Sequence, residues 1–163
     1  MAQPSPPRLT AAQRRARRDR VDRLARDVGF VGHVEYRHVY SQTGGAQYGR
    51  GSTASEDLLA IYAEAFDRDA DPEDFSLEAI VAHERGHQLL ARQPRIARRV
   101  AGHISPASEE VLASLLGAMI CSGEADRDAL IAKATVELLE HGETIEVATR
   151  LLQDLWDLME ALL

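Results

Sequence analysis

The chain has 163 residues, 45% hydrophobic and 28% charged, which is the balance of a soluble globular domain and excludes a disordered or fibrous chain. Its longest uncharged run, Val111 to Gly123, is 13 residues, short of the roughly 20 that a membrane-spanning helix needs. The single cysteine, Cys121, excludes an intrachain disulfide framework and any multi-cysteine metal site, so the chemistry must come from histidines and carboxylates.

The net charge of −7 is unevenly spread: residues 1–28 carry eight arginines against Asp19, Asp22 and Asp27, giving +5, and the remainder carries −12. The chain therefore divides into a basic N-terminal arm and helix, 1–28, and a single domain, 29–163. An acidic body argues against nucleic-acid binding by that body. The arm reads first as a solvated face, with phosphates, an anionic surface or the acidic domain itself as alternative contacts. Its arginine pairs lack an apolar segment behind them and resemble neither a secretory nor a twin-arginine signal, which leads to the expectation of a cytoplasmic protein with no membrane partner.

After a proline-containing leader, Thr10 is placed to N-cap a helix running to about Asp27. Its apolar stripe of Ala16, Val21, Leu24 and Ala25 is thin, so the helix is expected to dock weakly or fray. Val31, Val34, Tyr36 and Val39 read as a strand, and Gly44-Gly45 as a turn toward a second strand through Ala46 to Tyr48, which together suggest a hairpin. The alternation of Leu59, Ile61 and Ala63 gives a third strand within Asp57 to Ala65.

Beyond an acidic loop, Ser76 caps a helix over about 76–92. Ser105 and Pro106 suit the start of another over about 106–122, with Gly123 as terminator. Two further helices are expected at about 125–140 and 143–162. The last is amphipathic, with Ile145, Ala148, Leu152, Leu155, Met159 and Leu162 on one stripe. The pattern is α+β: a small antiparallel or mixed sheet of about three strands followed by helices.

Within the 76–92 helix stands His83-Glu84-Arg85-Gly86-His87. Histidines four apart differ by about 40° on a helix, so both imidazoles reach one divalent ion. Glu84 projects beside them, where a carboxylate can act on water as general base without becoming a ligand. Six histidines and fourteen glutamates would produce this spacing by chance only about 0.02 times per chain, which favours a metal reading over two ordinary polar residues on an exposed face.

Catalytic zinc takes three protein ligands and leaves one position open. The residues after His87 read QLLARQ, which removes the metzincin pattern. Glu110 is the first choice for the third ligand, because Ala113 and Gly117 on its side of the helix allow close approach to the histidine helix. Glu109 is the alternative, although an acid in a first turn also simply complements the helix dipole, and His103 is a further one. An oxyanion or substrate contact would come from Tyr48 or Tyr40 upstream, or from His103 downstream. Cys121 reads as a small buried hydrophobe, and Arg92, Arg95, Arg98 and Arg99 as a solvated helix end.

HERGH matches the HExGH form, and the run from Glu110 to Ala118, EVLASLLGA, resembles the ExxANxFAxxLL stretch of ImmA/IrrE-type metallopeptidases, a compact gluzincin-like group. Ser114 stands where that group commonly has Asn, and Gly117 replaces a larger residue. The resemblance spans roughly 31–122. It implies a zincin-like helical core and zinc-dependent endopeptidase activity on a protein or peptide substrate, a repressor or other regulatory protein. It also implies His83, His87 and Glu110 as zinc ligands and Glu84 as catalytic base. The alternatives are a non-catalytic zincin-like module acting through protein contacts and an autoinhibited enzyme. The C-terminal helix offers a face for a homo-oligomer.

Overall fold

A computed structural model describes residues 4–41, 44–67, 75–100 and 108–163, apart from the side chains of Val100 and Ser108. In chain order these form α1 (Ala11–Asp27), β1 (His33–Arg37), β2 (Ala46–Gly49), β3 (Leu58–Tyr62), α2 (Leu77–Arg92), α3 (Pro94–Val100), α4 (Ser108–Ile120), α5 (Glu124–Glu140) and α6 (Ile145–Glu160). The class is α+β with a mixed three-stranded sheet. No helix among the described residues is long and apolar enough to cross a membrane.

The sheet corrects the expected hairpin. β3 lies between the other two strands, parallel to β1 with Tyr36 opposite Ile61 and antiparallel to β2 with Ala46 opposite Ile61. Two forces decide this. β3 is the most apolar of the three, buried from Leu59 through Tyr62, and the central position is the one where both faces and both edges are covered. The β1–β2 connection is also sewn to the end of β3, where Tyr62 N–H donates to Gly45 O at 2.8 Å and Ala63 N–H to Val39 O at 3.0 Å. Past Tyr62 the expected strand turns into a short 3₁₀ segment, Ala63–Phe66.

α1 begins with a capping box: Gln13 N–H donates to Thr10 Oγ1 and Thr10 N–H to Gln13 Oε1. Against the expectation of weak docking, Val21 and Ala25 are buried, packing with Leu59, Ile61, Leu77 and Ile80. Arginine supplies the rest of the attachment. The Arg17 guanidinium lies 4.6 Å from the Phe66 ring centroid and donates to Tyr36 Oη at 2.8 Å, and Arg20 pairs with Glu78 at 2.8 Å. A thin stripe suffices because these side chains cover aromatic surface with their own bodies.

α2 is capped by Ser76, whose Oγ accepts from Ala79 N–H at 3.0 Å. One side, with Leu77, Ile80 and Val81, joins the sheet core. Another, with Ala79 and Ala82, meets Ala118, Cys121 and Leu130. A second large core joins Leu89 and Ile96 to Leu112, Leu115, Leu116 and the inner faces of α5 and α6. On α6 the buried residues are Ala148, Leu152, Leu155 and Met159. Ile145, expected on that stripe, is exposed in the first turn.

Two more expectations change. Gln93 precedes Pro94 and leaves the helical region, φ −106° and ψ 91°, as the residue before proline does. Pro94 then opens α3, which buries Ile96, so Arg92 and Arg95, Arg98 and Arg99 belong to two helices. Gly123 serves as N-cap of α5, since α4 ends at Ile120. Ser105 and Pro106 lie outside the described residues.

The crossing of α2 and α4 positions everything that follows. A Cβ on Gly86 would overlap the carbonyl oxygen of Ala113, and one on Gly117 would stand 2.9 Å from the carbonyl oxygen of Ala82. Both obstacles are helical backbone, which cannot turn aside as a side chain can. Gly86→Ala is therefore expected to force the helices apart and cost about 1–3 kcal/mol in a denaturant titration. An unchanged midpoint would show that the crossing is not tight.

Candidate metal centre

α2 presents His83 and His87 on successive turns of one face, and α4 presents Glu110 across the glycine crossing. The two Nε2 atoms are 3.1 Å apart. His83 Nε2 is 3.1 Å from Glu110 Oε2 and His87 Nε2 is 3.2 Å from Glu110 Oε1. His83 is buried and the other two are partly covered, with the three groups meeting at one point.

The outer ring nitrogens explain why the inner ones converge. His87 Nδ1 lies 3.2 Å from Glu109 Oε1. A carboxylate only accepts, so Nδ1 carries a proton, and the ring meets a divalent ion through Nε2 once the proton that Nε2 shares with Glu110 is displaced. His83 Nδ1 lies 3.0 Å from Ser114 Oγ, an arrangement that lets the hydroxyl fix the same tautomer. With those inner protons displaced, two imidazole lone pairs and a carboxylate face one point, which is the arrangement a cation would fill. Four-coordinate zinc, with bonds of about 2.0–2.2 Å to such ligands, separates them by roughly 3.3 Å. The donor set therefore fits a divalent ion.

In the absence of a cation, protons tie His87 and Glu110 together. Burial opposes the charge on His87, but Glu110, Glu84 and Glu109 outweigh it and push the imidazole up to about 8. Hydrogen bonds from His83 and His87 hold the Glu110 carboxyl well below the ordinary carboxylate range. Glu84 stands on α2 next to the pair. Burial raises its carboxyl above the ordinary value and the Glu110 charge adds to that, while His83, His87 and the Tyr48 backbone amide act in the opposite sense.

The structure thus brings together His83, Glu84, His87 and Glu110, and it places Glu109 on the outer nitrogen of His87. The two tyrosines proposed for an oxyanion are engaged elsewhere: Tyr48 Oη donates to Asp57 at 2.8 Å and Tyr40 Oη to Asp67 at 2.8 Å. His103 lies outside the described residues. Sequence reasoning missed Ser114, although the Glu110–Ser114 spacing of four puts both on one helix face. It also missed Asp57, a fully buried carboxylate that pairs with Arg92 and accepts from Gln88 Nε2 at 2.9 Å. Comparison with models of known protein families, with curated proteins and with solved structures found no match.

Proposed function

We propose that the chain is a zinc-dependent endopeptidase that hydrolyses peptide bonds of a protein substrate, with a zincin-like core of the ImmA/IrrE type. What carries the reading is the convergence of His83 Nε2, His87 Nε2 and the Glu110 carboxylate within 3.1–3.2 Å of one another, with Glu84 beside them but outside the donor set. Two imidazoles and one carboxylate suit zinc. When bound there, the ion supplies Lewis-acid polarisation of a carbonyl and makes water more acidic. Glu84 takes a proton from water as it attacks the scissile carbonyl, and passes the proton to the departing amine. His83 and His87 keep their Nε2 lone pairs turned inward throughout, because Ser114 and Glu109 hold the outer nitrogens. A regulatory protein such as a repressor is the substrate class this reading carries, and the cytoplasm is where the enzyme would act.

Metal analysis and peptide digestion test it together. The protein should carry about one zinc per chain, lost in His83→Ala, and should cleave members of a mixed peptide library followed by mass spectrometry. Zinc without cleavage would replace the enzyme with a zincin-like binding module. Failure to take up zinc at neutral pH would end both readings.

The two adjacent glutamates give a finer test. Glu110→Ala removes a donor, whereas Glu109→Ala removes only the group that orients His87, a loss typically worth 10–100-fold in affinity. Competition with a chelator should therefore rank Glu110→Ala as the more damaging, with Glu109→Ala intermediate between it and the parent. The reverse order would make Glu109 the ligand.

A further inference from the structure

α1 is an arginine-rich helix on an acidic chain, with seven arginines, of which Arg23 and Arg26 lie exposed in its C-terminal half. Arg17 and Arg20 are used within the fold, on Tyr36, Phe66 and Glu78. In the N-terminal half, Arg14, Arg15 and Arg18 are exposed, and no hydrogen bond or ion pair joins them to another described residue.

The placement of these three is unfavourable for an isolated chain. Arg14 and Arg18 stand one turn apart on the same face, a spacing at which like charges repel, and Arg15 is about 100° further round. Arg14 closes the first turn of α1, where the helix dipole disfavours positive charge and no acid offsets it. Asp22 and Glu35 border the patch where they line a cleft with Arg18, but neither forms an ion pair with it. Asp19 and Asp22 stand four positions beyond Arg15 and Arg18 and offset part of this charge, and among the described residues no ion pair closes on the three arginines, which leaves them available to an external polyanion.

The character of that polyanion follows from what surrounds the arginines. The large apolar residue on α1 nearest them, Val21, is buried against the sheet, and the exposed apolar neighbours are the alanines at 11, 12 and 16. A helix that lies in a membrane surface needs a broad apolar face. Single-strand binding needs free aromatic rings on which bases stack, whereas the Tyr36 and Phe66 rings are covered by Arg17. A guanidinium fork matches phosphate oxygens two at a time, and duplex DNA offers a phosphate charge for about every 1.7 Å of axis. Arg14 and Arg18 are separated by about 6 Å along α1, within the reach of neighbouring phosphates.

We infer that the exposed face of α1 formed by Arg14, Arg15 and Arg18 binds the phosphate backbone of double-stranded DNA. Contacts of this kind hold the protein on the duplex without reading bases, and the acidic remainder of the chain, at −12, restricts the contact to this helix.

The test is fluorescence anisotropy of a labelled duplex of random sequence with the full chain, at 50 and 200 mM salt. Three phosphate contacts give a slope of about −2.7 in log affinity against log salt, so affinity should fall roughly 40-fold between the two conditions. The triple variant Arg14→Gln, Arg15→Gln, Arg18→Gln should lose most of the binding at low salt and most of the slope. Its unfolding temperature should be unchanged or higher, because a repulsion has been removed. The inference is overturned if the duplex does not bind at 50 mM salt, or if the variant binds as the parent does. It is equally overturned if the variant unfolds at a clearly lower temperature, which would make the arginines part of the fold. Binding to anionic phospholipid vesicles or to a single-stranded oligonucleotide in preference to the duplex would also overturn it.

Discussion

Glu84→Gln is expected to leave the zinc content at about one per chain and to reduce peptide hydrolysis by roughly 10²–10⁴-fold, the range typical of a lost general base. The two halves of this result come from different observations. Retention follows from the candidate donor set of His83, His87 and Glu110, which does not include Glu84. Loss follows from chemistry, because an amide at this position can still hydrogen-bond water but cannot take its proton. The substitution preserves shape and replaces a carboxylate that burial already disfavours, so the variant should unfold at no lower temperature than the parent. Loss of zinc from Glu84→Gln would make Glu84 a ligand. Full activity with zinc intact would assign the proton transfer to another group.

The parts of this molecule that were legible in its sequence are those governed by neighbours within a turn or two of helix. Ser76, the His83–His87 spacing and the phase of Glu110 relative to Ala113 and Gly117 are all local, and the histidine clamp and its crossing helix follow from them. Strand order was not legible. The glycine pair at 44–45 does turn the chain, but what β2 pairs with is decided by the apolar content of β3, encountered later. The arginines near the end of α2 misled for the same reason. Their local setting is a helix terminus, where basic residues suit the dipole, and only the fold brings Asp57 to Arg92 from 35 positions away. Ser114 and Glu109 could be placed on the correct helix, but their pairing with the outer histidine nitrogens depends on how closely the two helices cross.

Asp57→Asn is expected to cost about 1–3 kcal/mol of unfolding free energy, the range seen when a buried hydrogen-bonding group loses its partner. Asp57 is fully buried. It accepts from Tyr48 Oη at 2.8 Å, from Gly51 N–H at 2.8 Å, from Gln88 Nε2 at 2.9 Å and from Arg92 Nε at 3.0 Å. Burial alone would raise its carboxyl, yet these donors together hold it well below the ordinary value of 3.8. Asparagine turns one acceptor into a donor facing other donors, and leaves Arg92, whose side chain is 17% exposed, without its counter-charge. Because the folded-state value is depressed, the stabilisation is complete above about pH 4 and is lost as pH falls below that. The stability gap between parent and Asp57→Asn should therefore be constant from about pH 5 to 7 and should shrink on acidification below about pH 4. A gap that stayed constant into acid would mean that the charge of Asp57 is not what holds Arg92. The double variant Asp57→Asn, Arg92→Met should recover part of the loss, since it removes the stranded cation together with its partner. Gln88 joins this network directly after His87, so the same carboxylate that secures Arg92 also fixes the C-terminal half of α2 against β3, the half that carries the second histidine.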